Sequence, residues 1–340
     1  MTRRNLVILL AALAVLAFPA TRPAFAAPKT IKLGTIVPSG SVWDNELKSL
    51  GSQVQQKTGG RVALKIYAGG TAGDDPDIVR KLRLGTLQAA TLTVDGLTDL
   101  DRSFAVFSVP RFFSSFDEMF AVAHALTPTL AERLDKQGYV FLNWGYGGWV
   151  YFFSKQPIYT PADLKKMKMF VWAGDDRMVQ WWKNAGYQPK PLASVDIMAQ
   201  LQTGGIDVLP SPALVALVLQ WYRQAPNMLD VPLGQLIGGT VISKKAWEQL
   251  TPEDQAALRQ LAAQMQTKLE QGIEAQDRQA VQQMSQRGLT VTKPKDAAQV
   301  KAWDDAAALF ASSMREQGLV PADVFDQAKK IRDGLRAGKH

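Results

Sequence analysis

The chain has 340 residues, a formal net charge of +8 at pH 7, no cysteine and two histidines. The missing thiols exclude disulfides, thiolate metal sites and a lipid-anchored cysteine, and two histidines cannot assemble a histidine metal set. Lys and Arg are scattered among Asp and Glu instead of clustering with stacking aromatic residues, which excludes a nucleic-acid groove.

The N-terminus has the pattern of a cleavable leader. Arg3 and Arg4 precede an uninterrupted apolar run, Leu6–Phe18, and an A-x-A motif that ends at Ala26. The run is too short for a permanent membrane helix. We therefore predict a signal peptide over residues 1–26, cleavage after about Ala26, and a periplasmic protein that is not itself inserted in the membrane.

The first half of the mature chain alternates strand and helix patterns. Ser41 is a candidate N-cap, and apolar residues at helical spacing follow it. The glycines at 69, 70 and 73 lack the spacing of a phosphate-binding loop and indicate a tight turn. The predicted strands are Ile31–Val37, Arg61–Tyr67, Gln88–Val94, Tyr139–Trp144 and Gly145–Ser154, and the predicted helices cover 41–57, Pro76–Leu84 and Asp117–Lys136.

The second half contains a strand–helix–strand–helix–strand unit and a long helix. The unit is predicted as Met167–Trp172, Asp176–Asn184, Tyr187–Pro191, Ser194–Gln202 and Ile206–Leu209, after a helix start at 160–163. Further predicted elements are a helix at Ala213–Tyr222, strands at Met228–Val231, Gly239–Ser243 and Leu289–Thr292, a Gln-rich helix from 251 to 286, and closing helices at Asp296–Gln317 and Pro321–Leu335.

Catalytic patterns are missing from the sequence. There is no GxSxG motif and no cysteine, and His124 lies within a predicted helix. The acidic pairs Asp74-Asp75 and Asp175-Asp176 precede helices, where acids favour the N-terminal dipole, so we interpret them as helix caps. We therefore expect a structural His124, no enzyme activity and no cofactor.

Four motifs in order carry a family resemblance. They are TGGR at 58–61, GGTAGD at 69–74, TPADLK at 160–165 and LQTGG at 201–205, followed by Asp207. In this combination the chain resembles the DctP-type solute-binding proteins of TRAP transporters. The resemblance implies an α/β fold with two lobes of the periplasmic-binding-protein type (class II-like). It also implies crossover strands near 145–155 and 235–244 and a long helix that braces both lobes.

The resemblance also implies a domain organisation and a function. Lobe I is expected at 27–148 plus about 235–270, and lobe II at 149–234 plus about 271–310, with C-terminal helices at 311–340. The protein is expected to capture a small organic solute between the lobes and deliver it to TRAP membrane permease subunits. A carrier of lipid-like molecules, a ligand-sensing subunit and an ABC-type binding protein stay open as alternatives.

Two departures from the family pattern concern the solute site. The family's carboxylate-clamping Arg corresponds to Phe170, and its second cleft Arg corresponds to Trp149. Rings in place of guanidinium groups favour neutral, apolar, ring-bearing or cationic solutes. Plain core packing of these rings, or an organic acid held by Arg177 or Arg111, are the alternatives. The predicted ligand-binding residues are Trp149, Phe170, Trp172, Ser211, Trp43, Asp95, Tyr146 and Arg177.

Overall fold

A computed structural model describes residues 28–338 except 175, so the predicted signal peptide lies outside the described residues. The strands are Lys29–Thr35 (β1), Val62–Tyr67 (β2), Ala89–Thr93 (β3), Tyr139–Ser154 (β4), Lys168–Trp172 (β5), Gln188–Leu192 (β6), Val208–Pro212 (β7), Asn227–Leu229 (β8), Gly234–Ser243 (β9) and Thr290–Thr292 (β10). The order of the strands agrees with the predicted order.

Helices alternate with these strands. They are Val42–Lys57 (α1), Asp75–Arg83 (α2), Val94–Leu100 (α3), Phe116–Lys136 (α4), Pro161–Leu164 (α5), Asp176–Asn184 (α6), Ile197–Thr203 (α7), Ala213–Val218 (α8), Lys244–Trp247 (α9), Pro252–Ser285 (α10), Ala297–Glu316 (α11) and Ala322–Ala337 (α12). Thr160 and Asp163 form a reciprocal capping box at α5, as the pattern TPAD predicts. No helix among the described residues is long and apolar enough to cross a membrane.

The strands form one mixed sheet through which both halves of the molecule are connected. Its order is β2-β1-β3-β9-β4-β7-β5-β6, with β8 and β10 attached beside β4. β1 is parallel to β2 and β3, and β5 is parallel to β6 and β7, whereas β4 is antiparallel to β9 and β7. The long strands β4 and β9 are therefore the crossovers between two α/β halves, and the fold has two lobes.

β4 is one continuous strand, so the prediction of two strands at Tyr139–Trp144 and Gly145–Ser154 is wrong. Two register shifts against β9 interrupt the pairing, the second of them between Tyr146 and Gly148. Gly148 has φ 95°, a conformation that side chains with a Cβ rarely adopt. Gly147 and Gly148 lie at a bulge, which bends the strand without ending it.

Three clusters of buried apolar side chains fill the lobes. The first cluster covers β1–β3, α1–α4 and the end of α11 with α12. The second and third lie on opposite faces of β4, β5 and β7. Because side chains alternate along a strand, Phe170 of β5 faces the second cluster, while Met169 and Val171 face the third.

The predicted long helix is confirmed as α10. Thr251 caps it by accepting the backbone N–H of Asp254. Leu258 and Leu261 near its start belong to the first cluster, and Ala280 and Met284 near its end belong to the second. One rigid helix therefore packs against both lobes, where its buried stripe supplies the stability that an isolated helix would lack.

Two other predicted elements differ in length from the observed ones. The helix predicted over Ala213–Tyr222 ends at Val218, and a 3-10 turn covers Trp221–Arg223. The strand predicted over Gly239–Ser243 begins five residues earlier, at Gly234. Gly234–Gly238 pairs with β4, and this long-range pairing is not visible in local hydrophobic periodicity.

Candidate functional site

The lobes meet where the turn before α2 faces the segment after β6. The Asp74 carboxylate accepts the backbone N–H of Ser194 at 2.7 Å and also accepts the Ser194 hydroxyl. A Cβ added to Gly70 would lie 3.8 Å from Val195, and one added to Gly174 would lie 2.9 Å from Pro76. The solute gap is therefore closed along this edge.

Asp74 thus corrects one prediction. It occupies the N-cap position of α2, but its side chain makes no capping hydrogen bond. The carboxylate instead satisfies donors on the other lobe. The sequence correctly predicted Asp74 at the helix start. It could not show that the backbone N–H and hydroxyl of Ser194, 120 residues away, are the donors to this carboxylate.

Asp75 is buried directly beneath this contact. Its carboxylate accepts the backbone N–H of Thr93 at 3.1 Å and the Thr93 hydroxyl at 2.6 Å. Burial raises the pKa of Asp75 to about 7 in spite of these bonds, and the nearby Asp95 and Asp74 carboxylates add to the increase. The edge of lobe I at the junction is therefore acidic.

Trp149 lies on β4 just after the bulge. Its ring is half-buried and sits 5.2 Å from the ring of Phe116, at the start of α4. Gln235 is its register partner on β9 and donates to the Ser115 carbonyl at 3.1 Å. Trp149 therefore packs against lobe I at the point where the strand leaves it.

Phe170 and Trp172 lie in lobe II. Their rings meet edge to face at 5.1 Å, and Phe170 is 2% exposed. Phe170 belongs to the second cluster, whereas Trp149 packs against the first, so the structure does not bring these two rings together. Trp172 is half-buried, and Ser211 is buried with its hydroxyl donating to the Pro212 carbonyl at 3.0 Å. Contact of these residues with a solute stays a prediction.

Trp43 and Tyr146 pack together in lobe I. The Trp43 indole N–H donates to the Tyr146 carbonyl at 2.6 Å, and a Cβ on Gly145 would lie 2.6 Å from the Trp43 ring. Tyr146 is fully buried and meets Phe120 edge to face at 4.6 Å. Both side chains fix β4 against α1 and α4, while Asp95 is exposed at the start of α3.

The two candidate arginines differ in their surroundings. Arg111 has φ 54° and forms an ion pair with Asp304 at 2.6 Å, so its guanidinium is already engaged. Arg177 is exposed at the start of α6 and lines a solvent-open groove of about 570 Å³ beside Trp181 and Gln317. Arg177 is therefore the better placed of the two to meet an anion.

Trp181 and Trp182 are adjacent on α6. Both rings are half-buried and contact Phe310 of α11, at 4.3 and 5.4 Å. α11 covers both rings, and a contact that depends on a distant helix could not be read from the sequence around the two tryptophans.

Three polar residues were not predicted as functional from the sequence. They are Ser194, Tyr151 and Asp277. Asp277 had a signal, because it lies four residues after Ile273 and three before Ala280, on the buried stripe of α10. Within residues 28–338 without 175, no group of His, Asp and Glu side chains could hold a metal ion.

Relatives among characterised proteins share much of the chain. A solute-binding protein of Roseobacter denitrificans is 26% identical over 75% of this chain and 78% of its own. The sialic acid-binding periplasmic protein SiaP of Vibrio cholerae is 24% identical over 79% of this chain and 84% of its own. The C4-dicarboxylate-binding periplasmic protein DctP of Rhodobacter capsulatus is 22% identical over 93% of this chain and 95% of its own.

Solved structures share the fold. An extracytoplasmic solute receptor of Bordetella pertussis with pyroglutamic acid superposes with a TM-score of 0.80 at 21% identity, covering 89% of this chain and 99% of that one. A sugar acid binding protein of Advenella mimigardefordensis with galactonate has a TM-score of 0.83 at 16% identity, covering 90% and 98%. The predicted two-lobed α/β fold is confirmed.

The family model of bacterial extracellular solute-binding protein family 7, DctP, matches residues 33–317. Its members are periplasmic solute receptors of TRAP transporters and not enzymes, and they bind small molecules and work with membrane permease components. The chain therefore belongs to the DctP family of TRAP solute-binding proteins.

Proposed function

We propose that this receptor takes a small organic solute that is neutral, apolar, ring-bearing or cationic, and delivers it to its TRAP permease. We also assign lobe I to residues 27–148 and about 235–270, and lobe II to 149–234 and about 271–310. The chain is periplasmic after removal of its leader in this proposal. The observation that carries the solute class is the pair of rings, Trp149 and Phe170, at the two positions that the family pattern gives to arginine.

The packing of the rings supports this solute class. Trp149 is half-buried against Phe116 of lobe I, and Trp172 is half-buried against Phe170 of lobe II, so a partly exposed ring packs against each lobe. Trp149 and Trp172 keep part of their ring surface free for apolar contact. A desolvated carboxylate would meet no guanidinium from positions 149 and 170. The names of SiaP and DctP describe proteins that bind sialic acid and C4-dicarboxylates. In the present chain such acids would lack charge-assisted hydrogen bonds from arginine at positions 149 and 170.

An organic acid held by Arg177 is a second candidate. The groove beside Trp181 favours it, because Arg177 is exposed there. Asp176 lines the same groove and opposes an anion electrostatically. A carrier of lipid-like molecules stays an alternative, and the apolar cavity beside Trp43 and Leu47, which holds about 10 Å³, is too small to be its acyl-chain site.

Native mass spectrometry of protein purified without unfolding tests the function. We expect a co-purified small molecule, or binding by titration calorimetry of at least one neutral or cationic aromatic solute. Succinate, D-glucuronate and sialic acid are the acid probes. Low-micromolar binding of any of these acids contradicts the proposed solute class, and its loss in Arg177→Ala would identify the second candidate.

A further inference from the structure

A buried carboxylate lies beside the point at which β4 passes between the lobes. Asp277, on α10, is 4% exposed, and its Oδ1 has no hydrogen-bonding partner among the described residues. The backbone N–H of Trp149 approaches the carboxylate and favours its ionised form. A Cβ on Gly148 would lie 2.6 Å from Oδ1, so the glycine is what lets strand and carboxylate approach.

The charges around Asp277 do not neutralise it. Arg278 follows it on the helix, but its guanidinium is paired with Glu274 at 2.9 Å. The Tyr151 phenol lies within electrostatic range of both Asp277 and Asp230. No ion pair of the described chain includes Asp277, and Lys293 is paired with Asp230 at 3.2 Å.

A structural role alone does not account for this residue. Holding the Trp149 N–H requires one oxygen, which an asparagine side chain would also supply. The second oxygen remains buried and unpaired, an arrangement that disfavours the ionised form and that native proteins avoid unless a partner binds. The Tyr151 phenol lies near Asp277. Trp149 is two residues earlier on β4 and therefore on the same side of the strand. Aromatic rings attract cations through their faces.

Resting on the solute-receptor function proposed above, we propose that Asp277 receives a protonated amine of the solute, with Trp149 and Tyr151 as its aromatic neighbours. The solute class is then an organic amine. The amine donates to the free Oδ1, and its charge replaces the missing cation. Separation of the lobes at Asp74 and Ser194 opens the path to this buried position.

Calorimetry with a matched pair of probes tests the subsite. Tyramine carries an amine, and 4-ethylphenol has nearly the same body without it. We expect Asp277→Asn to weaken tyramine binding at least tenfold and to leave 4-ethylphenol binding unchanged. Asp305→Asn, the same exchange at an exposed carboxylate on α11, is the control and should change either affinity less than twofold. Phenethylamine and 1,4-diaminobutane extend the amine panel.

The outcomes separate the subsite from the receptor function. Equal tyramine affinity in Asp277→Asn and the unaltered protein overturns the subsite, as does a co-purified molecule without an amine, while the receptor function stands. An empty protein that binds none of the amines, neutral rings or acids contradicts the receptor function itself. If Asp277→Asn does not fold, the subsite is tested on the unaltered protein, through the pH dependence of the ratio of its affinities for tyramine and 4-ethylphenol. This ratio should rise at least threefold from pH 6 to pH 8, and a flat ratio overturns the subsite.

The pH arm follows from ionisation of Asp277. Burial raises the pKa of Asp277 to about 7. The Trp149 N–H and the Arg278 charge lower this pKa, but burial has the larger effect. The titratable and charged neighbours on the packed elements are Tyr151, Asp230 and Arg278. Tyr151 has a pKa raised by burial, and therefore stays neutral between pH 6 and pH 8. The charged carboxylate thus becomes more abundant over this interval, while an alkyl amine stays protonated.

Discussion

Asp74 and Ser194 join the facing edges of the two lobes through a carboxylate that accepts both a backbone N–H and a hydroxyl. Two-lobed receptors close on their solutes by hinge motion. A contact that exists only when the edges meet stabilises the closed form, so the pair acts on solute affinity without touching the solute.

Replacing Ser194 with Ala should weaken solute binding. The hydroxyl bond to a charged acceptor is lost while the backbone N–H bond remains, which costs the closed form about 1–2 kcal/mol, or roughly a 5–30-fold rise in Kd. Calorimetry measures the affinity, and small-angle scattering measures lobe closure. Ser52→Ala on exposed α1 is the control. An unchanged Kd would show that the contact does not bias closure.

Asp75 should make stability fall as pH rises. Its pKa is about 7 in the folded protein, raised by burial from its ordinary value of 3.8. The folded state therefore holds a proton that the unfolded chain releases, and stability from this group is full below about pH 4 and lost as pH rises through about 7. Asp75→Asn should remove a decline of roughly 2–4 kcal/mol between pH 4 and pH 8.

Urea unfolding of Asp75→Asn and the unaltered protein across this pH interval measures the difference. Asp277 contributes a decline of the same sign in both proteins, since its pKa is also raised to about 7. Identical slopes of unfolding free energy against pH in the two proteins would contradict the assignment to Asp75.

Phe170→Ala and Trp149→Ala should separate packing from binding. Phe170 is 2% exposed in the second cluster, and its truncation should lower the unfolding free energy by about 3–5 kcal/mol. Trp149 is half-buried, so its truncation should cost less stability and weaken binding of a ring-bearing solute at least tenfold.

Each of these two variants is the control for the other, measured by urea unfolding and calorimetry on the same preparations. If Trp149→Ala retains full affinity for every bound solute, the aromatic site proposed at the crossover is contradicted. A large stability loss in both variants, with solute affinity unchanged, would show that both rings only pack in the core and do not contact the solute.

Arg336 should stabilise the attachment of α12 to α4. Its guanidinium bonds both carboxylate oxygens of buried Glu118, at 3.0 and 2.9 Å. Burial opposes ionisation of Glu118, but Arg336 and the Ser114 donors lower its pKa to about 2. Arg336→Gln should therefore cost about 2–3 kcal/mol, because it leaves a buried carboxylate without its cation.

Unfolding free energy and hydrogen exchange in α12 measure this loss. The folded pKa of Glu118 is depressed, so its stabilisation is present above about pH 4.5 and is lost as pH falls towards 2. Arg315→Gln breaks an ion pair with Asp326 whose side chains are both exposed, and should cost much less stability than Arg336→Gln because solvent screens the pair. Equal effects of the two substitutions would contradict the role of burial.

The sequence predicted the order of elements well where local patterns are strong. The strands β1–β3 and β5–β7 and the long helix α10 follow from alternation, helical spacing and caps such as Thr160 and Thr251. Ordered motifs at 58–61, 69–74, 160–165 and 201–205 indicated the family, which the family model over residues 33–317 shows. All of these signals lie within short segments of the chain.

The tertiary structure decided which of those residues meet. Asp74 reaches Ser194, Asp277 reaches the Trp149 N–H, and both tryptophans at 181 and 182 contact Phe310. Local propensity carries no information about such partners, since each pair depends on crossover strands and on a helix that spans both lobes. Composition and motifs thus determined the fold and family. Burial and long-range pairing decided whether a given ring or carboxylate packs in the core, joins the two lobes or is available to bind a solute.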